Sequence, residues 1–454
     1  MPDSRGESAK KRIFTMRKNY LHLDFKGIAP LPHKWREYLE LFKNLGFEGI
    51  LLELDCKYAW KTWRGVTWDR YSESDIRRMV SIARDMGFAV SLLIQMQGHL
   101  EWALAGEKYA SFRESGFISE ICPSNPAAVR KIEEWIDEAI ALCPDAPYLH
   151  LGGDEVSHLC SCSECRKRSS CAEDPRMSIY LDHARRCCER VAEKGLRPML
   201  WSDVFVSRKC YDSIKTLPPE TILVNWCYNE KAPFSGLAEM QATGYEIWGA
   251  PAIRCGPDCL SGIYDEQRVT ARIDNIRQWQ QTGTDLLHTV WGRSSSFNFL
   301  YPPWHCFADA FAEAGTNGAA WSIDGDDTFA IQSRRWRSLG KKYTELQQRG
   351  FLLFKSIAGI IRVSHHVDRP ELFNADCLSP AKKLDAEILQ LGRELHSFFE
   401  DNGLSDADEF IDTRLAMLRP SLPHPQDLKD EDFMLQMRRK LRQVSPDIDE
   451  TGKG

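Results

Sequence analysis

Eight short apolar runs, each closed by polar or aromatic residues, constrain the possible folds of this chain more than any other feature. They are Tyr20–Phe25, Gly49–Asp55, Phe88–Ile94, Tyr148–Leu151, and runs ending at Met199–Trp201, Leu223–Trp226, Glu246–Trp248 and Leu287–Trp291. Helical segments separate most of them. Trp35–Leu45 is amphipathic and stops at Gly46; Ser72 and Asp75 open a second helix in a capping-box arrangement, with Gly87 as its stop. Pro126 is placed to start a third, and Ser178–Glu193 and Glu266–Gln281 each run into a glycine. Short buried strands alternating with helices predict a (β/α)8 TIM barrel, an α/β fold, over residues 19–347. Gly318–Ile323 is a ninth strand candidate, which leaves the identity of the last barrel strand open.

Beyond residue 347 strands give way to helices near 350–362, 380–400, 405–418 and 427–443, so 348–454 reads as an α-helical C-terminal region ending in a disordered tail. Residues 1–18 are polar and basic and read as a disordered lead.

A barrel of this kind places its chemistry at the C-terminal ends of the strands. The sharpest change of polarity there is in Tyr148-Leu-His-Leu-Gly-Gly-Asp-Glu-Val-Ser157. Two glycines let the backbone turn sharply and let a ligand approach; two adjacent carboxylates, Asp154 and Glu155, follow them. An unpaired acid at the end of a buried strand does not serve packing, because burying its charge is costly. Adjacent residues point in different directions, so the two acids suit different tasks on one substrate. A structural alternative stays open, with Asp154 capping the next helix and Glu155 merely solvated.

Trp201, Trp226, Trp248 and Trp291 close four successive runs. Converging on one mouth, they would wall a pocket suited to a sugar ring, whose C–H face stacks on indole while its hydroxyls meet polar groups. Asp24, Glu53, Asp55, Gln97, His99, Asp203, Tyr228 and Arg293 are the polar partners available at the strand ends.

The segment His150-Leu-Gly-Gly-Asp154-Glu155 resembles the catalytic signature of glycoside hydrolase family 20, the β-N-acetylhexosaminidases. Leu21-His-Leu-Asp-Phe-Lys-Gly27, Leu52-Glu-Leu-Asp55, Gln97-Gly-His99-Leu-Glu101 and Cys122-Pro-Ser-Asn-Pro126 resemble its hexosaminidase D branch in particular. The likeness covers roughly residues 20–330 and is strongest at the Asp-Glu strand. It implies exo-hydrolysis of terminal β-linked N-acetylgalactosamine or N-acetylglucosamine by a retaining, substrate-assisted route through an oxazolinium ion. Glu155 would then be the acid and later the base, Asp154 would orient the acetamide, and Tyr228 would bind it. His99 and His150 would support the site, Asp55 and Lys26 would bind hydroxyls, and Asp24, Asp203, Arg293 and the four tryptophans would complete the sugar pocket. Lys26 stands where secreted family members carry an arginine on the first strand. By the same resemblance the chain is expected to lack the α+β domain that usually precedes the barrel in those members, as the hexosaminidase D branch does.

Cys160, Cys162 and Cys165, with Cys171 and His158 nearby, have ligand-like spacing and suggest a structural zinc beside Glu155; free thiols are the alternative. Catalysis by the substrate-assisted route requires no cofactor. Two other functional classes stay open: a metal-dependent barrel hydrolase using the cysteines and histidines, and a noncatalytic sugar-binding barrel.

A net charge of −6 and a pI near 6.1 provide no general field for nucleic acid or an anionic membrane. No window approaches a spanning helix, and the lead lacks an apolar signal core. The 15 cysteines are odd in number in a large chain, and Cys187 and Cys188 adjoin, so reduced thiols and a cytoplasmic location are expected. The helical tail offers a surface on which two copies could pair as a homodimer.

Overall fold

In the computed structural model, which describes residues 17–68, 70–256, 262–363 and 374–419, the barrel strands are buried along nearly their whole length. Burial on both faces is the condition for parallel pairing, and it explains why the runs are continuously apolar. The strands are β1 (Asn19–Asp24), β2 (Gly49–Glu53), β3 (Ala89–Leu93), β4 (Arg113–Glu114), β5 (Phe117–Ile121), β6 (Tyr148–His150), β7 (Arg197–Trp201), β8 (Ile222–Trp226), β9 (Glu246–Ala250), β10 (Ala252–Arg254) and β11 (Asp285–Val290).

The main sheet runs β1-β2-β3-β6-β7-β8-β9-β11, all parallel, and closes by pairing β1 with β11, where Tyr20 lies opposite Leu287. Past Pro251, β10 carries the line of β9 onward along β11. The result is the expected (β/α)8 barrel. Among the described residues only β4 and β5 stand apart, as an antiparallel hairpin in the long excursion after β3. Closure also settles the ninth candidate: β11 already meets β1, no edge remains open, and Gly318–Ala320 forms a 3-10 turn instead.

Local signals act where the sequence places them. Ser72 and Asp75 form a reciprocal capping box for the helix Glu73–Asp85. Asn125 caps the helix Pro126–Leu142 by accepting from the backbone N–H groups of Ala127 and Ala128, with Pro126 in its first turn. The helix Trp35–Asn44 buries Trp35, Leu39 and Phe42 against the barrel, each such side chain contributing about 1.5–3 kcal/mol.

The expected boundary at residue 347 falls inside one helix, Thr328–Val363. Helices Ser379–Asp401 and Ala407–Ala416 follow. They pack back on the barrel: Trp336 lies 4.8 Å from Phe398, and the Tyr38 hydroxyl donates to the Asn402 carbonyl. The lead over 1–16, the helix expected near 427–443 and the tail 445–454 lie outside the described residues. No helix among the described residues is long and apolar enough to cross a membrane.

Candidate active site

Strand β6 ends at His150, and the chain turns out of the barrel on Gly152 (φ +63°) and Gly153 (φ +86°). A Cβ on Gly152 would lie 1.9 Å from Gln95 Oε1, and one on Gly153 would lie 2.6 Å from Met96 Cε. Both backbone and space therefore demand glycine here. Asp154 then stays buried, while Glu155 reaches solvent at the rim. Glu155 itself takes a left-handed conformation (φ +50°), which costs a non-glycine residue roughly 1–2 kcal/mol. Its N–H donates to Asp203 Oδ2 at 2.9 Å, which holds it there. Asp55 (φ +39°) and His99 (φ +53°) are strained in the same sense, so three left-handed residues meet at one mouth.

His99 joins the two acids. Its Nε2 lies 3.3 Å from Asp154 Oδ2 and 3.5 Å from Glu155 Oε2. Burial disfavours a charged ring, but the charge and hydrogen bond of Asp154 outweigh it and push the His99 pKa up to about 10. Desolvation raises the Glu155 carboxyl, cationic His99 opposes the rise, and Asp154 and Glu101 add to it; the balance lies above the ordinary range. Burial and the charge of Asp154 push Asp203 up to about 7, against the hydrogen bond it accepts from Glu155. The pair thus consists of a rim acid suited to hold a proton and a buried carboxylate beside a cation.

On the other side of the mouth Lys26 is buried among three acids. Its Nζ lies 2.9 Å from Glu53, 3.0 Å from Asp24 and 3.7 Å from Asp55. Glu53 also meets His22 Nε2 at 2.9 Å and accepts from Gln95 Nε2 at 3.2 Å, so it is saturated. Asp24 accepts from the Gly292 N–H at 2.7 Å and ties β1 to the turn after β11. Asp55 differs: both its carboxyl oxygens are buried without a hydrogen-bond partner, as are both amide atoms of Gln97 and Oδ1 of Asp154. Buried polar atoms left unpaired in this way call for a ligand or solvent partner.

Trp201, Trp226 and Trp291 group near the buried Lys26, whose Nζ lies 5.1 Å from the Trp291 ring. Trp201 is enclosed at the floor, 4.3 Å from the His150 ring and 5.9 Å from Trp291. Trp226 stacks on Tyr228 at 5.2 Å, and Trp291 Nε1 donates to the Tyr228 hydroxyl at 3.0 Å. Burial raises the phenol well above its ordinary pKa, and Asp154 adds to the effect, so Tyr228 stays a neutral donor close to the acid pair.

Four expectations are corrected by the packing. Trp248 lies at the opposite end of the barrel, because β9 runs on to Ala250; it packs edge-on against Tyr20 and Tyr148 at 5.2 and 5.5 Å, and its N–H donates to Glu246. Arg293 is held by the protein itself, donating to the carbonyls of Ser296 and Asn298 and pairing with Glu409 at 3.1 Å. His150 lies beneath the mouth; its Nδ1 accepts from the Gly152 N–H at 2.9 Å, and burial keeps it neutral. Cys160 and Cys171 stand outside the thiol cluster: Cys160 pairs with the Ser169 hydroxyl at 3.3 Å, and Cys171 is exposed. Cys162 and Cys165 instead meet Cys122 and Glu114.

Sequence reasoning passed over His22, though the alternation Tyr20, His22, Asp24 puts it on the inner face. It also passed over Glu114 and Glu120, which sit in a hairpin that no barrel pattern announces.

Residues 51–322 match the family model for the catalytic domain of glycosyl hydrolase family 20. Among curated relatives, hexosaminidase D of Bos taurus is 26% identical over 299 residues, covering 62% of this chain and 86% of the relative. Hexosaminidase D of Homo sapiens is 28% identical over 189 residues, covering 40% of this chain but only 39% of the relative's length. The solved structure of a β-N-acetylhexosaminidase superimposes with a TM-score of 0.50 at 15% identity, over 71% of this chain and 75% of that one, a likeness of fold alone.

Proposed function

The chain belongs to glycosyl hydrolase family 20, and from that premise we propose that it removes terminal β-linked N-acetylhexosamine from glycans or glycosides by a retaining, substrate-assisted mechanism. The observation that carries this reading is the division of labour between Asp154 and Glu155: adjacent in the chain, one buried beside a cation and one proton-holding at the rim.

Glu155 donates its proton to the glycosidic oxygen as the bond to the anomeric carbon breaks. The substrate's acetamide oxygen attacks that carbon from the opposite face, giving an oxazolinium ion. Asp154 accepts the acetamide N–H through its free Oδ1 and offsets the positive charge. The Tyr228 hydroxyl already accepts from Trp291, which leaves its proton to donate to the acetamide oxygen. Glu155, now a carboxylate, deprotonates a water that opens the ring intermediate. Two displacements at one carbon return the original configuration. No step calls on a cofactor.

Asp55, neither of whose oxygens accepts a hydrogen bond, supports binding of sugar hydroxyls opposite the acetamide. The leaving group would exit along the cleft of about 590 Å³ lined by Glu155, Ser157, Asp174, Asp203, Ser207 and Arg208. A cytosolic location is supported by the 15 cysteines of the sequence, odd in number in a large chain and with Cys187 and Cys188 adjoining.

The test is release of 4-nitrophenol from the N-acetyl-β-galactosaminide, the N-acetyl-β-glucosaminide and the plain β-galactoside. Wild type should cleave at least one acetamido substrate and spare the galactoside, which has no internal nucleophile. Glu155→Gln should lose roughly 10²-fold or more in kcat. A folded wild-type protein that cleaves neither acetamido sugar would sink the proposal, and sugar binding without turnover would replace it.

A further inference from the structure

Among the described residues, a close group of metal-ligating atoms outside the sugar pocket lies where the excursion after β3 touches the loop after β6. We propose that Glu114, Cys122, Cys162 and Cys165 hold a structural zinc ion that fastens the segment bearing His99 to the loop bearing Asp154 and Glu155.

The ligands come from both sides of that contact. Glu114 is the last residue of β4 and Cys122 follows β5, while Cys162 and Cys165 flank and enter the short helix Ser163–Arg168. One ligand atom from each lies within 4.8 Å of all the others. Cys122 Sγ is 3.5 Å from Cys162 Sγ and 3.7 Å from Cys165 Sγ, and Cys165 Sγ is 3.3 Å from Glu114 Oε2. A tetrahedral ion with sulfur at about 2.3 Å and oxygen at about 2.1 Å would separate its ligands by roughly 3.5–3.8 Å. These three spacings need adjustments of only a few tenths of an ångström, and the remaining pairs lie within 4.8 Å.

The surroundings suit a closed site. Glu114, Cys122 and Cys165 are buried and Cys162 is half-buried, so no position is left for substrate. The Cys165 N–H donates to Cys162 Sγ, and the Ser124 hydroxyl lies 3.1 Å from Cys165 Sγ. Glu114 is oriented by the Cys162 N–H through its other oxygen. Such outer contacts fix ligands in position and favour the thiolate form. Binding would release three thiol protons and leave an excess of negative charge. Arg166 and Arg168, which donate to the carbonyls of Ser161 and Pro123 on the two ligand-bearing turns, lie on the side that offsets it.

The clamp adds to contacts already drawing these segments together. Glu120 accepts from the N–H groups of Ser157 and His158 at 2.8 Å and meets His158 Nδ1 at 2.9 Å. Gly98 approaches so closely that a Cβ there would lie 2.6 Å from the Asp154 carbonyl. Fixing both segments fixes the distance from His99 to the acid pair, so the four ligands are positioning residues.

Elemental analysis of the full-length protein, purified under reductant without chelator, tests the proposal. About one zinc per chain is expected. Cys122→Ser and Cys162→Ser should retain less than a tenth of it, while Cys160→Ser and Cys171→Ser should retain it all. Cobalt(II) replacing the zinc should show thiolate-to-metal charge transfer. Wild-type protein with three free thiols and no zinc, with iron in its place, or with a disulfide among Cys122, Cys162 and Cys165 would overturn the proposal. Should the serine variants fail to fold, metal content and cobalt spectrum of the wild type decide alone. Neither readout depends on glycoside cleavage, so this site and the proposed activity can fail separately.

Discussion

His99 Nε2 approaches Asp154 Oδ2 to 3.3 Å, and the two residues come from different loops of the barrel, after β3 and after β6. The same nitrogen lies 3.5 Å from Glu155 Oε2. One imidazolium therefore serves two carboxylates with different duties, and it affects them unequally because only Asp154 is buried.

Removing that cation should move the pH profile upward. His99 stays charged to about pH 10, and its charge lowers the Glu155 pKa. The catalytic acid must be protonated, so activity is lost as pH rises through that pKa. In His99→Asn, a residue that tolerates left-handed backbone, the Glu155 pKa rises further and the basic limb of kcat/KM shifts to higher pH. The rate itself should fall about 10- to 100-fold, because Asp154 loses its partner. An unshifted limb would show that His99 does not influence Glu155.

Asp154→Asn should move the same limb the other way. Asp154 raises the Glu155 pKa, so neutralising it lowers that pKa and activity fades at lower pH than in wild type. The loss of charge opposite the oxazolinium should cost about 10²- to 10³-fold in kcat. A pH–rate series on both variants would reveal whether the two shifts oppose each other.

Gly152→Ala should destabilise the protein by about 3 kcal/mol. It combines a left-handed backbone with a Cβ 1.9 Å from Gln95 Oε1, and Gln95 in turn donates to Glu53. Gly195→Ala is the control: φ is +84° but nothing lies within 4 Å of the new Cβ, so it should cost only about 1 kcal/mol. Urea denaturation of both variants would measure the difference, and equal losses would refute the packing argument.

Arg293→Ala should lower stability by about 1.5–3 kcal/mol with only a small change in KM. Its guanidinium joins the turn after β11 to Glu409 and lies 5.8 Å from Trp68, so its hydrogen-bonding groups are largely engaged within the protein. A large rise in KM at unchanged stability would return Arg293 to the substrate.

Much of this protein was legible in its residues alone. Continuous apolar runs ending in polar groups dictate parallel strands buried on both faces, and eight of them with helices between dictate a closed barrel. Two glycines before Asp154 and Glu155 mark the turn that presents the acids, since few other residues could adopt those backbone angles. These are local properties, carried by residue type and spacing. What spacing could not convey is where a strand stops and which distant loops meet. A tryptophan at the end of an apolar run resembles a strand end, so spacing places Trp248 at the mouth, whereas pairing with β8 and β11 carries β9 beyond it. Spacing offers Arg293 to the substrate because its partner Glu409 lies on a helix far along the chain. Spacing groups Cys162 and Cys165 with the neighbouring Cys160 and Cys171, whereas the hairpin after β3 brings Cys122 and Glu114 to them. Local chemistry determined which elements form and where the paired acids stand in the chain; only the closing of the barrel decided which side chains share a site, because contacts between distant segments follow from strand order and loop packing.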